Sequence, residues 1–141
     1  MPILNYSTSI ESEKTIAEIQ KCLVKHGAHK ITTDYTDAIP TAVTFCLKLN
    51  DATVAFCLPA NNAGVLKAMC NDKKISRAKC TPQQAQRVAW RIVKNWVEAQ
   101  MAIVEAQLAD MAEVFLPYAI TKNGNTVYNE IKNTGMLKLE K

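Results

Sequence analysis

The sequence predicts an α+β fold: a small antiparallel sheet of three or four strands packed with an N-terminal helix and one long C-terminal helix. Two patterns carry this. Residues 83–116 contain neither proline nor glycine and repeat their apolar residues at helical spacing. Three segments between residues 31 and 58 alternate apolar and polar side chains, the period of a half-buried strand. At 141 residues, with 48% hydrophobic and 21% charged content, residues 1–141 form a single domain with one real core.

Pro2 to Tyr6 is a short apolar lead with the character of an edge strand. Thr8 and Glu11 have the spacing of a capping box for a helix from about Ser9 to His26, with Ile16, Ile19 and Leu23 as its apolar face and Gly27 as its stop. Ile31, Thr33 and Tyr35 then alternate in a first strand, Val43, Phe45, Leu47 and Leu49 in a second, and Val54, Phe56 and Leu58 in a third. The short Asn50–Asp51 connection makes the last two an antiparallel hairpin. Thr44, Cys46 and Lys48 give the sheet a mixed second face, as expected when helices cover one side only.

Asn61 or Asn62 caps a short helix reaching about Cys70, and a polar, basic loop leads on to Thr81. The long helix starts there: Thr81 as cap, Pro82 at the first helical position and Gln84 completing a capping box, with Pro117 ending the run after Leu116. Ala85, Val88, Ala89, Ile92, Val93, Trp96, Ala99 and Ile103 form its core stripe. A second stripe, Val97, Met101, Val104, Leu108, Met111 and Phe115, has the spacing of a helix-pairing seam. Thirty-five residues extend about 52 Å, against a domain diameter of roughly 37 Å. A rod of that length projects its apolar half, so the expected assembly is a homo-oligomer through this helix. Beyond Pro117 two readings stand: a hairpin around Asn123–Gly124, or a short helix capped by Thr126 and ending near Gly135.

Charge carries the functional signal. The whole chain has a net charge of +4, yet residues 67–94 hold eight basic residues and one acid, Asp72, for a local charge of +7. Lys73, Lys74, Arg77 and Lys79 lie in the loop, and Arg87, Arg91 and Lys94 share one face of the long helix. Three like charges on one face repel, so an anion is expected beside them. Lysines and arginines neutralise phosphates, and an exposed Trp90 would stack on an unpaired base, worth about 1–3 kcal/mol. The nucleic-acid-binding set read from sequence is therefore Lys73, Lys74, Arg77, Lys79, Arg87, Trp90, Arg91 and Lys94. The competing reading is a solvated basic face, with Lys94 paired to Glu98 and Trp90 in the core.

Other chemistry is poorly served. Cys22, His26 and His29 fall near one another, but zinc wants a fourth ligand that nothing specifies, so neither a metal nor any other cofactor is expected. Both histidines are expected to be exposed at a helix end, which leaves no catalytic triad. Asp34 and Asp37 read as turn acids, and the four glycines form no phosphate-cradling run. The chain reads as a non-enzyme. Five cysteines without a CxxC pair suit small buried apolar residues in a reducing cytoplasm. The acids among residues 1–13 argue against a signal peptide, and no apolar run is long enough to span a membrane.

The run Arg87-Val-Ala-Trp-Arg-Ile-Val-Lys-Asn-Trp-Val-Glu-Ala-Gln100, followed by Val114-Phe-Leu-Pro-Tyr118, resembles a family of small prophage and integrative-element proteins of Firmicutes and related bacteria. The opening Met1-Pro-Ile-Leu-Asn-Tyr6, the segment Ile19–Gly27 and Leu58-Pro-Ala-Asn61 are similar to it as well. The resemblance implies a mobile-element origin rather than an activity, and it carries over no site residues. Such elements handle single strands during replication and recombination, and they disarm host defences. The combined expectation is a non-catalytic, oligomeric protein that binds single-stranded nucleic acid, DNA first. The alternative is a phage anti-defence protein that sequesters a signalling nucleotide or blocks a host protein.

Overall fold

The computed structural model describes residues 3–135 and residue 137. In chain order its elements are α1 (Ser12–Lys25), β1 (Lys30–Thr36), β2 (Ile39–Leu49), β3 (Ala52–Pro59), α2 (Asn62–Asn71), α3 (Pro82–Glu105), α4 (Met111–Val114) and α5 (Val127–Thr134). Short 3-10 turns lie at Arg77–Lys79 and Leu116–Tyr118. The architecture is the expected α+β: one antiparallel sheet in the order β1-β2-β3, with α1 and α3 packed on one face.

The alternation in the strands decides which face is inside. Val43, Phe45 and Leu47 of β2 are buried beside Phe56 and Leu58 of β3, while Lys48 is exposed and Thr44 and Cys46 are half-buried. Phe45 stacks on Phe56 with ring centroids 5.3 Å apart, and Phe115 meets Phe45 edge-on at 5.4 Å. Asn50 turns the β2–β3 hairpin at a positive φ of 56°. The β1–β2 turn uses Asp37 and Ala38, both left-handed, with φ of 51° and 66°. A β-bulge opposite the Asp34–Tyr35 step leaves Thr41 of β2 as the extra residue, without a partner on β1. The free edge of β3 is met by the chain after Pro117, where the Ile120 N–H donates to the Ala55 carbonyl at 2.8 Å.

At the end of α1, Gly27 adopts φ 107° and the chain closes by two reverse bonds, Gly27 N–H to Val24 and Ala28 N–H to Leu23. The start differs from expectation. Glu11 is the N-cap without a side-chain cap bond, and the Thr8 hydroxyl accepts from Ile10 instead. Nor is there a strand before it: residues 4–7 form a turn, and Pro2 lies outside the described residues. Asn61 caps α2 through the Gly64 N–H at 2.9 Å, as the sequence indicated.

The long helix is the principal correction. Thr81 caps it and Pro82 opens it, but α3 ends at Glu105, not at Phe115. Gln107 takes a left-handed φ of 62°, with Gln107 N–H bonded to Val104 and Leu108 N–H to Ile103, the bonding pattern of a glycine-type helix stop. Asp110 then starts α4 with a full capping box to Glu113. A strong cap inside the helical run thus outcompetes continuation. Twenty-four residues span about 36 Å, matching the domain diameter, so nothing projects. The second stripe folds inward: Val97, Met101 and Phe115 are buried and Leu108 alone of the six is strongly exposed. The argument for a homo-oligomer from a protruding helix loses its premise. The first stripe is accurate to Val93, after which Ala99 and Ile103 turn out exposed.

Gln84 does not complete a capping box. Its amide donates to the carbonyls of Tyr6 and Thr8, at 3.0 and 2.8 Å, and ties the N-terminal segment to α3. Both tail readings meet in part: an isolated bridge pairs Ile120 with Thr126, and Thr126 caps α5, which Gly135 ends at φ 65°.

Candidate nucleic-acid interface

Two apolar clusters position the basic residues. The larger lies between the sheet, α1 and α3; the smaller holds Met69, Ile75, Ala85 and Val88 between α2, the connector and the first half of α3. Ile75, 5% exposed, pins the connector 72–81 to that cluster, so its neighbours face outward. Asp72 supports the turn by accepting the Lys74 N–H at 2.9 Å. Lys67, Lys73, Lys74 and Arg77 are exposed and Lys79 is half-buried; among the described residues none of the five has a carboxylate within ion-pairing distance. A groove of about 420 Å³ runs between Cys70, Asp72, Lys73, Ile75, Arg77 and Cys80.

The helical part of the set is arranged differently. α1 and α3 run side by side in the same direction, and the acids of α1 face the bases of α3. Arg87 Nη2 lies 3.2 Å from Glu11, Arg91 Nη1 lies 3.2 Å from Glu18, and Lys94 Nζ lies 3.4 Å from Glu18 and also bonds Glu98. Arg91 further donates to the Thr15 hydroxyl at 3.4 Å. The repulsion that argued for an external anion is relieved internally. Partial desolvation would raise the Glu18 pKa, but the hydrogen bond from Lys94 and the charges of Arg91 and Lys94 outweigh it and hold the carboxyl below its usual range. The sequence reading does not foresee that Arg87, Arg91 and Lys94 are each paired with a carboxylate of the same chain.

Trp90 is corrected too. It is fully buried, and its indole N–H donates to the Pro40 carbonyl at 3.3 Å, so it offers no base a face to stack on. Its position had a legible signal: Trp90 stands seven residues before Val97 and so continues the second apolar stripe inward. The exposed aromatics on the molecule are Tyr35, 61% exposed, and Tyr128, 58% exposed, neither of which belongs to the connector.

The histidine cluster also resolves. His26 Nδ1 lies 2.8 Å from the Cys22 carbonyl oxygen and Nε2 lies 2.8 Å from Glu105. Its side chain is only 12% exposed, contrary to the expected surface position, whereas His29 is exposed. Burial, followed by the carboxylates of Glu98 and Glu105, pushes the Cys22 thiol up, so it stays protonated in the α1–α3 groove. Among the described residues no three His, Cys, Asp or Glu side chains gather into a metal-binding group. Asp34 accepts from the Thr44 hydroxyl at 3.0 Å and Asp37 occupies the tight turn, which accounts for both acids. None of the five cysteines is fully buried, against expectation; Cys70 is exposed and the others are half-buried.

No helix among the described residues is long and apolar enough to cross a membrane. Set against known proteins, the chain matches no family, no curated sequence and no solved structure. Within the basic segment, the cations left without an ion-pair partner among the described residues are Lys67 and those of the connector, which lies over the buried Ile75.

Proposed function

We propose that this protein is a non-catalytic nucleic-acid-binding protein whose site is the connector, with Lys73, Lys74, Arg77 and Lys79 on phosphates and Lys67 at its margin. The supporting observation is the contrast within one basic segment. Its helical cations are matched by Glu11, Glu18 and Glu98, while its loop cations, exposed apart from the half-buried Lys79, have no ion-pair partner among the described residues. Charge in excess of what the fold neutralises is what a polyanion recognises. The half-turn at Arg77–Lys79 directs Arg77 and Lys79 from one compact feature instead of along an extended track. Single-stranded DNA is the preferred ligand, and the resemblance to prophage and integrative-element proteins points the same way. Because the apolar stripe folds back on its own chain, binding is assigned to one copy and a homo-oligomer is not required.

The groove beside Lys73 and Arg77 favours a second reading from another class, an anti-defence protein that sequesters a signalling nucleotide. Its dimensions suit one or two phosphates. One experiment separates the two readings. Titration with oligo-dT, a mononucleotide and a cyclic dinucleotide at several salt concentrations should show the oligonucleotide binding tightest. Four phosphate contacts on a single strand give a log–log salt slope of about −3, or roughly a 50-fold loss between about 50 and 200 mM. Tighter binding of the small nucleotides transfers the site to the second reading, and binding of neither removes both.

A further inference from the structure

Cys70 and Cys80 frame the connector. Cys70 sits in the last turn of α2 and is exposed; Cys80 directly precedes the Thr81 cap of α3 and is half-buried. Folding of the connector onto Ile75 brings its two ends together, so that both thiols line one groove, near enough for Cys70 to act on the Cys80 thiol. Cys80 is fixed from two further sides, by packing against the cluster of Met69, Ile75, Ala85 and Val88 and by its Sγ lying 3.6 Å from the Ser76 carbonyl. Lys73 and Arg77 border the same groove and supply positive charge beside the sulfurs. The remaining cysteines, Cys22 on α1, Cys46 on β2 and Cys57 on β3, do not border it.

We infer that Cys70 and Cys80 are a redox site that forms a reversible disulfide with a small-molecule disulfide, such as oxidised glutathione, as the oxidant. Cys70, the accessible thiol, attacks as its thiolate one sulfur of the oxidant. That breaks the oxidant's S–S bond, releases one small thiolate and leaves a mixed disulfide on Cys70. Cys80 then loses its proton, and its sulfur attacks the Cys70 sulfur, forming the Cys70–Cys80 bond and displacing the second small thiolate. The two leaving thiolates take up the two protons. Two protein thiols are oxidised and one small disulfide is reduced to two thiols. Burial, then the hydrogen bond and charge of Cys70, push the Cys80 thiol up, which keeps it protonated until the mixed disulfide has formed beside it. The product is a ring enclosing residues 71–79 and, with them, Lys73, Lys74, Arg77 and Lys79. If the proposed function holds, on which this last step rests, ring closure removes loop freedom that binding would otherwise remove, and the oxidised form binds a single strand more tightly.

The test uses the intact protein incubated with oxidised glutathione, alkylated and digested with trypsin. Peptide 68–73 linked to peptide 80–87, and separated again by dithiothreitol, is the expected result. In Cys70→Ser the link should vanish while the protein melts as before. Recovery of both peptides unlinked after full oxidant treatment, or linkage of either to a peptide carrying Cys22, Cys46 or Cys57, overturns the inference. Oligo-dT affinity measured on both redox forms should rise about threefold or more on oxidation. Equal affinities overturn the coupling while the disulfide stands, and absence of binding in both forms overturns the proposed function independently.

Discussion

Trp90 on α3 donates its indole N–H to the carbonyl of Pro40, fifty residues earlier, at 3.3 Å. The bond crosses from the helix to the start of β2 and fixes the side chain in the core. Trp90→Ala should therefore destabilise by about 3–5 kcal/mol, the range for truncating a buried aromatic. Trp90→Phe keeps most of the volume but strands the carbonyl, costing about 1–3 kcal/mol. Denaturant melts measure both. In a Trp96→Phe background, oligonucleotide should leave Trp90 emission unchanged; a strong quench would contradict burial as the resting state of this residue.

The connector cations and the helix cations should separate cleanly under mutation. Replacing Lys73, Lys74, Arg77 and Lys79 with Gln should leave the melting temperature near its starting value and reduce the salt slope by about 0.7 for each phosphate no longer neutralised. Arg91→Gln should do the reverse, since Glu18 would lose a partner within the α1–α3 interface. Fluorescence anisotropy with labelled oligo-dT, run beside thermal melts, reads both effects. Equal loss of affinity from Arg91→Gln in a fully folded protein would restore α3 to the site.

Glu18 sets a pH dependence. Its pKa is lowered in the folded state, so the stability it contributes is fully present above its unfolded value near 4.5 and is lost as pH falls through the lower folded value. Urea midpoints for the wild type and Glu18→Gln should differ at pH 6 and draw together as the pH falls below 4.5. A difference that widens on acidification would reverse the assigned sign.

Gln107 holds a left-handed turn that glycine adopts freely. Gln107→Gly should raise stability by about 0.5–1 kcal/mol if the chain turns back there. Were α3 to continue instead through Leu108 to Phe115, the same change would lower stability by about 1 kcal/mol. Calorimetry decides between the two signs.

What the sequence made legible is local. The strands, the Gly27 stop, the Asn61 and Thr81 caps and the first core stripe as far as Val93 all follow from residues within one or two turns of each other. The misreadings concern competition or partners distant in sequence. Asp110 and Glu113 form a capping box inside an unbroken helical run, and the turn it makes brings Phe115 onto Phe45, a partner seventy residues away. Gln84 had the spacing of a capping partner and was taken instead by the Tyr6 and Thr8 carbonyls. The cationic face of α3 was visible, and so was its answer in principle: Glu11, the N-cap of α1, and Glu18 within it lie seven residues apart, matching the Arg87–Lys94 interval. Only the packing of α1 beside α3 joins the two. The connector's exposure depends on Ile75, a single apolar residue in a polar stretch, which is the clue the sequence offered.

The sheet has one guarded flank and one open one. Ala119 and Ile120 cover the middle of the outer side of β3, at Ala55 and Phe56, and β1 forms the other border of the sheet. There Lys30 places a charge at one end, while the bulged residue, Thr41, lies on the neighbouring β2. A strand arriving from another copy would meet that charge on the open border, which disfavours the sheet-to-sheet growth that leads to fibres.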